Sequence, residues 1–187
     1  RMSRGLGDVY KRQLGMSKAG IFKYYKNKQE LFIAVVDKFW FSTQNPRNKF
    51  TETNGTFAEF IDEYVRGVQR TMDMLGDLIG AEREKVAQGK FTYHAQYFHF
   101  LFQLLQYDPD AKEKLRNLVE VDYAYWRAAI QRAIATGELR EDVDVEDAVV
   151  MFRQVYMGLS FEMAFMGGLN TQRLAKHLHA VYSLLKR

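Results

Sequence analysis

Between Leu14 and Phe32 the chain reads LGMSKAGIFKYYKNKQELF, and its polar groups are cations and hydroxyls rather than acids, bases or nucleophiles. Lys18, Lys23, Tyr24 and Lys28 can each reach a phosphate, and Ser17 stands where it can cap a short helix running to about Lys23. Small Ala19 and Gly20 let the backbone of that helix approach a surface closely, and Gly15 permits a tight turn before it. Asn27 and Glu30, three residues apart, have the form of a capping box that opens a second helix, whose free backbone N–H groups can take a further phosphate. Phe22, Tyr25 and Leu31 are apolar pegs able to fix the short helix against the longer one. Groups of these kinds at this spacing hold a slim helix in the major groove of duplex DNA, where base edges are read.

Competing chemistry has little to stand on. His94 and His99 are five residues apart and His177 and His179 two apart, so neither pair has the four-residue spacing of a zinc helix. The sequence has no cysteine, no glycine-rich phosphate loop and no serine in a nucleophile-elbow setting. The acidic run ELREDVDVED lacks the central glycine of a calcium loop. The expectation is a protein that is not an enzyme and needs no metal or cofactor.

The formal net charge of +4 is unevenly spread, with eight Lys or Arg against the single acid Asp8 in residues 1–28. A cationic head on a mildly acidic body suits a polyanionic partner. No apolar run approaches the roughly 18 residues of a membrane span, and no signal-peptide pattern is present. With the absence of cysteine, this predicts a cytoplasmic protein that does not engage membranes.

The elements that must position these groups are helical. No segment after residue 16 alternates like a strand, so the fold class is all-α. A helix from Asn27 carries Leu31, Val35 and Phe39 on one face, and Pro46 ends it or kinks it shortly after Trp40. The next runs from Phe57 to about Leu75 with Phe60, Ile61, Tyr64, Val65 and Val68 inward, followed by a short piece near Ala81 to Ala87. An aromatic helix occupies Phe91 to Tyr107, and another spans Ala111 to about Thr136 with Leu115, Leu118, Val119, Trp126, Ile130 and Ala133 inward and Gly137 as its cap. The first of the last two helices is apolar nearly all round, its polar side thinned to Glu146, Arg153 and Ser160. Such a helix needs partners on two sides, which predicts a homodimer through the last two helices.

The pattern of Gly15, Met16, Ser17, Lys18, Ala19, Ile21, Phe22, Tyr25, Asn27, Lys28, Glu30 and Leu31 resembles the TetR-type (TetR/AcrR) family of bacterial transcriptional regulators, from the turn glycine through the recognition helix. Thr136 to Leu159 is similar to the passage joining the seventh and eighth helices of many members. The resemblance implies a ligand-responsive repressor that binds a palindromic operator as a dimer, with DNA contacts from Ser17, Lys18, Ala19, Gly20, Lys23 and Tyr24 and a phosphate contact from Lys28. Phe22 stands where the family usually has tyrosine and Tyr25 where it has phenylalanine, which removes one hydroxyl from the phosphate-facing set.

Regulators of this kind answer to a small molecule held in the helical body. His94, Tyr97, Phe98, Phe102, Gln103, Tyr123, Trp126 and Phe161 can line a site for a small apolar or aromatic effector. Two readings follow: the ligand-responsive regulator, and a helical dimer that binds small apolar or aromatic molecules without specific DNA binding.

The domains expected are a partial helix-turn-helix over residues 14–44 and a helical effector-binding and dimerisation domain over 45–187. Family members carry a first helix and most of a second ahead of the turn glycine, where this chain has RMSRGLGDVYKRQ, with Ser3, Gly5 and Gly7 opposing a long helix. DVYKRQ is encoded in one frame by GAT GTG TAT AAG AGA CAG, which resembles a transposon end used in building sequencing libraries. Residues 1–13 are therefore expected to be foreign to the gene, and the chain as written to bind DNA weakly and without specificity, in contrast to its natural parent.

Overall fold

The computed structural model describes residues 23–50, 55–78 and 93–187, except for the side chains of 75–78 and 93–96. The described residues are all-helical, with no named strand and one isolated bridge between Leu139 and Lys186. Helix α1 begins at Lys28–Val35, passes through a π-helical turn at Val36–Trp40 and finishes at Phe41–Thr43. Then follow α2 (Phe57–Leu78), α3 (Tyr93–Tyr107), α4 (Ala111–Ala135), α5 (Val145–Ala164) and α6 (Thr171–Leu185). The short helix expected at 17–23 and the piece near 81–87 lie outside the described residues, as do Ser17, Lys18, Ala19 and Gly20.

Helix starts are written locally. At α1 the Glu30 amide donates to Asn27 Oδ1 at 2.9 Å, while the Glu30 carboxylate reaches back to the amide of Lys26 at 2.8 Å. The reciprocal bonds are those of a capping box, shifted by one residue on the return side. Thr56 and Glu59 form the same device at α2, and Asp144 and Asn170 cap α5 and α6. Pro46 lies beyond the end of α1, opening a single 3-10 turn capped by Asn45.

The end of α4 has a long-range consequence. Gly137 adopts φ 74°, and the amides of Gly137 and Glu138 donate to the carbonyls of Ile134 and Ala133 at 3.0 and 2.9 Å. This is a Schellman closure, open to glycine at little conformational cost. It delivers Glu138 to the start of α2, where its carboxylate accepts from the amides of Phe57 and Ala58 at 2.8 and 3.3 Å and from the Tyr182 hydroxyl at 2.9 Å. One acid thereby ties α2, α4 and α6 together and satisfies amides that every helix start leaves open.

Two apolar clusters result. The larger gathers Phe57, Ile61, Tyr64, Trp126, Ile130, Phe152, Leu174 and Leu178 from α2, α4, α5 and α6. The smaller packs Phe32, Val36 and Trp40 of α1 against Leu104 of α3 and Ala111 at the start of α4. Burial of this kind supplies most of the driving force for helix association.

Helix α5 is turned opposite to the sequence expectation. Ser160 is buried and Arg153 faces inward, whereas Val150, Met151, Phe161 and Phe165 are exposed. Of the polar strip only Glu146 faces solvent, paired with Arg127. The inward arginine finds its counter-ion on α4, which periodicity within α5 cannot register.

Gly67 of α2 lets the chain before α2 press against the helix. A Cβ there would overlap the carbonyl oxygen of Lys49 and lie 2.5 Å from its Cα. Glycine within a helix ordinarily costs about 0.5–1 kcal/mol relative to alanine. Gly67→Ala is nevertheless expected to destabilise by about 2 kcal/mol, lowering Tm by roughly 4–8 °C; thermal unfolding checks this, and a raised Tm would contradict the contact.

Candidate functional site: a buried charge cluster beside the α1 rod

Asp122 of α4 and Arg153 of α5 form an ion pair at 2.5 Å, with side-chain exposures of 4% and 13%. Around it stand aromatic rings from three helices. The Tyr64 ring lies 4.8 Å from Trp126 and 5.9 Å from Tyr156, and the Arg153 guanidinium is 5.7 Å from the Tyr156 centroid. Lys49, held in place beside Gly67, brings its ammonium to 5.1 Å from the same Tyr156 ring. The residue is only 7% exposed, and no carboxylate among the described residues pairs with it.

The electrostatics follow from burial. Desolvation pushes the Tyr64 hydroxyl well above its ordinary range, and the Asp122 charge pushes it the same way. Tyr97 is half-buried as a residue, but burial of its hydroxyl end also raises its pKa, with Tyr156 adding to the effect and Arg153 opposing it. Burial is the largest influence on Arg153 and works against its charge, but Asp122 together with Tyr64, Tyr156 and Tyr97 outweighs it and the guanidinium is held above its ordinary range. The cluster therefore contains protonated phenols, a charged guanidinium and a buried carboxylate.

Several of its polar atoms have no hydrogen-bond partner: Tyr64 Oη, Trp126 Nε1, Asp122 Oδ1, Arg153 Nη1 and, one turn along α5 from Tyr156, Ser160 Oγ. Arg153 Nε also lacks an aligned hydrogen bond despite its short approach to Asp122. Folded proteins leave few such atoms, and each calls for an explanation.

Of the ligand-lining residues expected from sequence, Tyr97 and Trp126 come together here. Tyr123 is half-buried at the edge of the larger core. Phe98 and Phe161 meet edge-to-face at 5.2 Å, but Phe161 is 49% exposed and Phe102 64% exposed. Gln103 bonds with His99 on the same helix at 3.1 Å, and the His94 side chain lies outside the described residues. Asp122, Arg153, Lys49, Tyr64 and Tyr156 are not among the residues expected from sequence. A signal for Asp122 exists: it falls in the apolar stripe of α4 between Leu118 and Trp126, where a charge has no place unless it is paired.

The cluster adjoins α1 through Tyr97. The Trp40 ring stacks on Tyr97 at 5.8 Å and lies 5.7 Å from Phe100, while Phe32 is 5.4 Å from Phe100. Polar ties hold the same seam. Gln29 donates to the Tyr107 carbonyl at 2.7 Å, and the Lys114 ammonium bridges Asp37 of α1 and Asp108 at 2.7 and 2.9 Å. Burial alone would lower the Lys114 pKa, but the hydrogen bonds to Asp37 and Asp108 hold it up. At the N-terminal end of the rod Lys23, Tyr24 and Lys28 are exposed, Tyr24 to 75%.

Among the described residues no group of three or more acids or histidines is placed to hold a metal ion, and no helix is long and apolar enough to cross a membrane. A family model described as tetracyclin repressor-like, C-terminal domain, matches residues 68–178. The chain belongs to the TetR-type family of transcriptional regulators. Comparison with curated proteins and with solved structures gave no match.

Tyr64, Tyr97 and Tyr182 all hold their protons more tightly when folded, Tyr182 being pushed up to about 12 by burial and by its bond to Glu138. Their contribution to stability is intact below the unfolded phenol range near pH ~10 and is lost progressively from there as the pH rises through the folded values, about 12 for Tyr182. Urea midpoints are expected to hold to about pH 9 and fall steeply by pH ~11, less so in Tyr182→Phe. A flat midpoint to pH ~11 would contradict the assignment.

Proposed function

We propose that the chain is the effector-responsive body, with part of the DNA-reading head, of a dimeric repressor that binds a palindromic operator. The observation that carries this reading is Tyr97, which stacks on Trp40 of α1 and sits within electrostatic reach of the buried pair. A ligand that repositions Tyr97 acts on the rod whose far end presents Lys23, Tyr24 and Lys28. Residues 14–44 form the DNA-reading part, with Ser17, Lys18, Ala19 and Gly20 at the bases and phosphates, and residues 45–187 form the effector and dimerisation part. The π-helical turn that places Trp40 is an irregular element of a kind frequent at functional sites.

The dimer joins through α5 and α6. Val150, Met151, Phe161, Phe165 and Met166 are 40–73% exposed, and Leu184 of α6 is 66% exposed. Gly158, within this face, has nothing within 4 Å of a would-be Cβ, which leaves room for a partner helix to approach closely. An apolar face of this kind is covered by a second copy in homodimers. Two-fold symmetry then sets two recognition helices against successive major grooves.

The effector acts by preferring one arrangement of the α1–α3 seam, and it can shift operator affinity only by its differential affinity for the two arrangements. Selection of binding sites from random duplex DNA, read at low and moderate salt, tests the reading. On this reading the expected result is a palindromic site whose enrichment survives the higher salt. Binding that follows no sequence and vanishes with salt would contradict it.

A further inference from the structure

Helix α3 has no Asp, Glu, Lys or Arg among its 15 residues, although one of its sides faces water. Resting on the dimeric reading above, we infer that a second copy of the chain is seated on that side, over Phe98, Phe102 and Leu105, so that the subunit interface extends from α5 and α6 onto α3.

The three residues are four and three positions apart and so share one stripe of the helix. Phe98 is half-buried because Phe161 of α5 meets it edge-to-face at 5.2 Å, and Phe161 in turn meets Phe165 at 5.2 Å. These ring contacts make the α3 stripe continuous with the apolar face of α5. Of the large apolar side chains left exposed among the described residues, only Tyr24, Met74 and Val121 lie off α3, α5, α6 and the turn after α5. Taking about 200 Å² for a phenylalanine side chain, Phe102, Phe161 and Phe165 at 64%, 49% and 70% exposure leave on the order of 350 Å² of aromatic surface in water. With Leu105, Val150, Met151, Met166 and Leu184 the exposed apolar surface exceeds the roughly 450 Å² that one side of a standard interface supplies.

The absence of charge selects the occupant. In a two-fold interface one patch supplies both sides, so residues near the axis meet their own copies and any charge there meets its like. A stripe of two phenylalanines and a leucine beside His99 and Gln106 avoids that conflict, and it offers no fixed charge to a nucleic acid or an ionic partner. The opposite side of α3 packs Phe100, Leu101 and Leu104 against Phe32, Val36 and Trp40 of α1. A partner seated on the outer stripe therefore bears on the helix that holds its neighbour's rod.

Sedimentation velocity of the full chain tests this with Phe102→Asp and Leu105→Asp on the stripe and Met151→Asp on α5. The three side chains are 40–64% exposed, so the variants should keep the circular dichroism of the wild type. The expected result is a wild-type dimer whose dissociation constant rises at least tenfold in each variant. A rise below tenfold in both α3 variants, with Met151→Asp dissociated, overturns the seat on α3 and leaves the α5–α6 dimer in place. A wild-type chain that stays monomeric overturns both. Because the sequence has no cysteine, Phe102→Cys carries a single thiol, and its alkylation should slow at least tenfold where the protein sediments as a dimer; a rate that does not fall with dimer formation likewise overturns the seat on α3.

Discussion

The ion pair between Asp122 and Arg153 is the interaction around which the rest is arranged. Taking two charges out of water costs several kcal/mol for each ion, and their attraction offsets that cost only where further hydrogen bonds complete both groups. Here completion is partial, since Asp122 Oδ1 and Arg153 Nη1 have no partner. The surroundings supply aromatic faces and phenols instead of the donors and acceptors that would finish the pair. A pair kept in this state is poorly explained as a device for stability. It fits the effector site proposed for this cluster.

The main features of the fold serve this placement. The Schellman turn at Gly137 brings Glu138 to the start of α2, which registers α2 against α4 and sets Tyr64 beside Trp126. Gly67 admits the backbone of Lys49 to the side of α2, which puts an ammonium over Tyr156. The stack of Trp40 on Tyr97 then connects the cluster to α1 through one residue shared by both. Local sequence, helix packing and electrostatics meet within a few side chains.

Much of the architecture was legible because it is written at short range. The capping residues at Asn27 and Gly137, the inward set of α2, and Trp126, Ile130 and Ala133 of α4 depend on neighbours three or four positions away, and the structure has them where the periodicity put them, whereas Leu115, Leu118 and Val119 are only half-buried. The site was less legible because its pairs are distant in sequence. Asp122 and Arg153 are brought together by helix packing, and Arg153 read alone looks like the solvent side of an apolar helix. The packing of the Lys49 backbone is admitted by a glycine 18 positions later, Gly67. Tyr97 and Trp126 were singled out from sequence because aromatic residues announce themselves singly; charges that meet across helices do so only as pairs.

If the buried pair serves recognition and not stability, chemical denaturation of Asp122→Leu/Arg153→Met beside Arg153→Met will separate the two roles. The single variant leaves a buried carboxylate unpaired and should lose about 3–5 kcal/mol. The double variant should unfold at the wild-type midpoint or above it, because apolar side chains of similar size fill the space without a desolvation cost. A double variant as unstable as the single one would show that the pair holds the fold together, and would contradict the account.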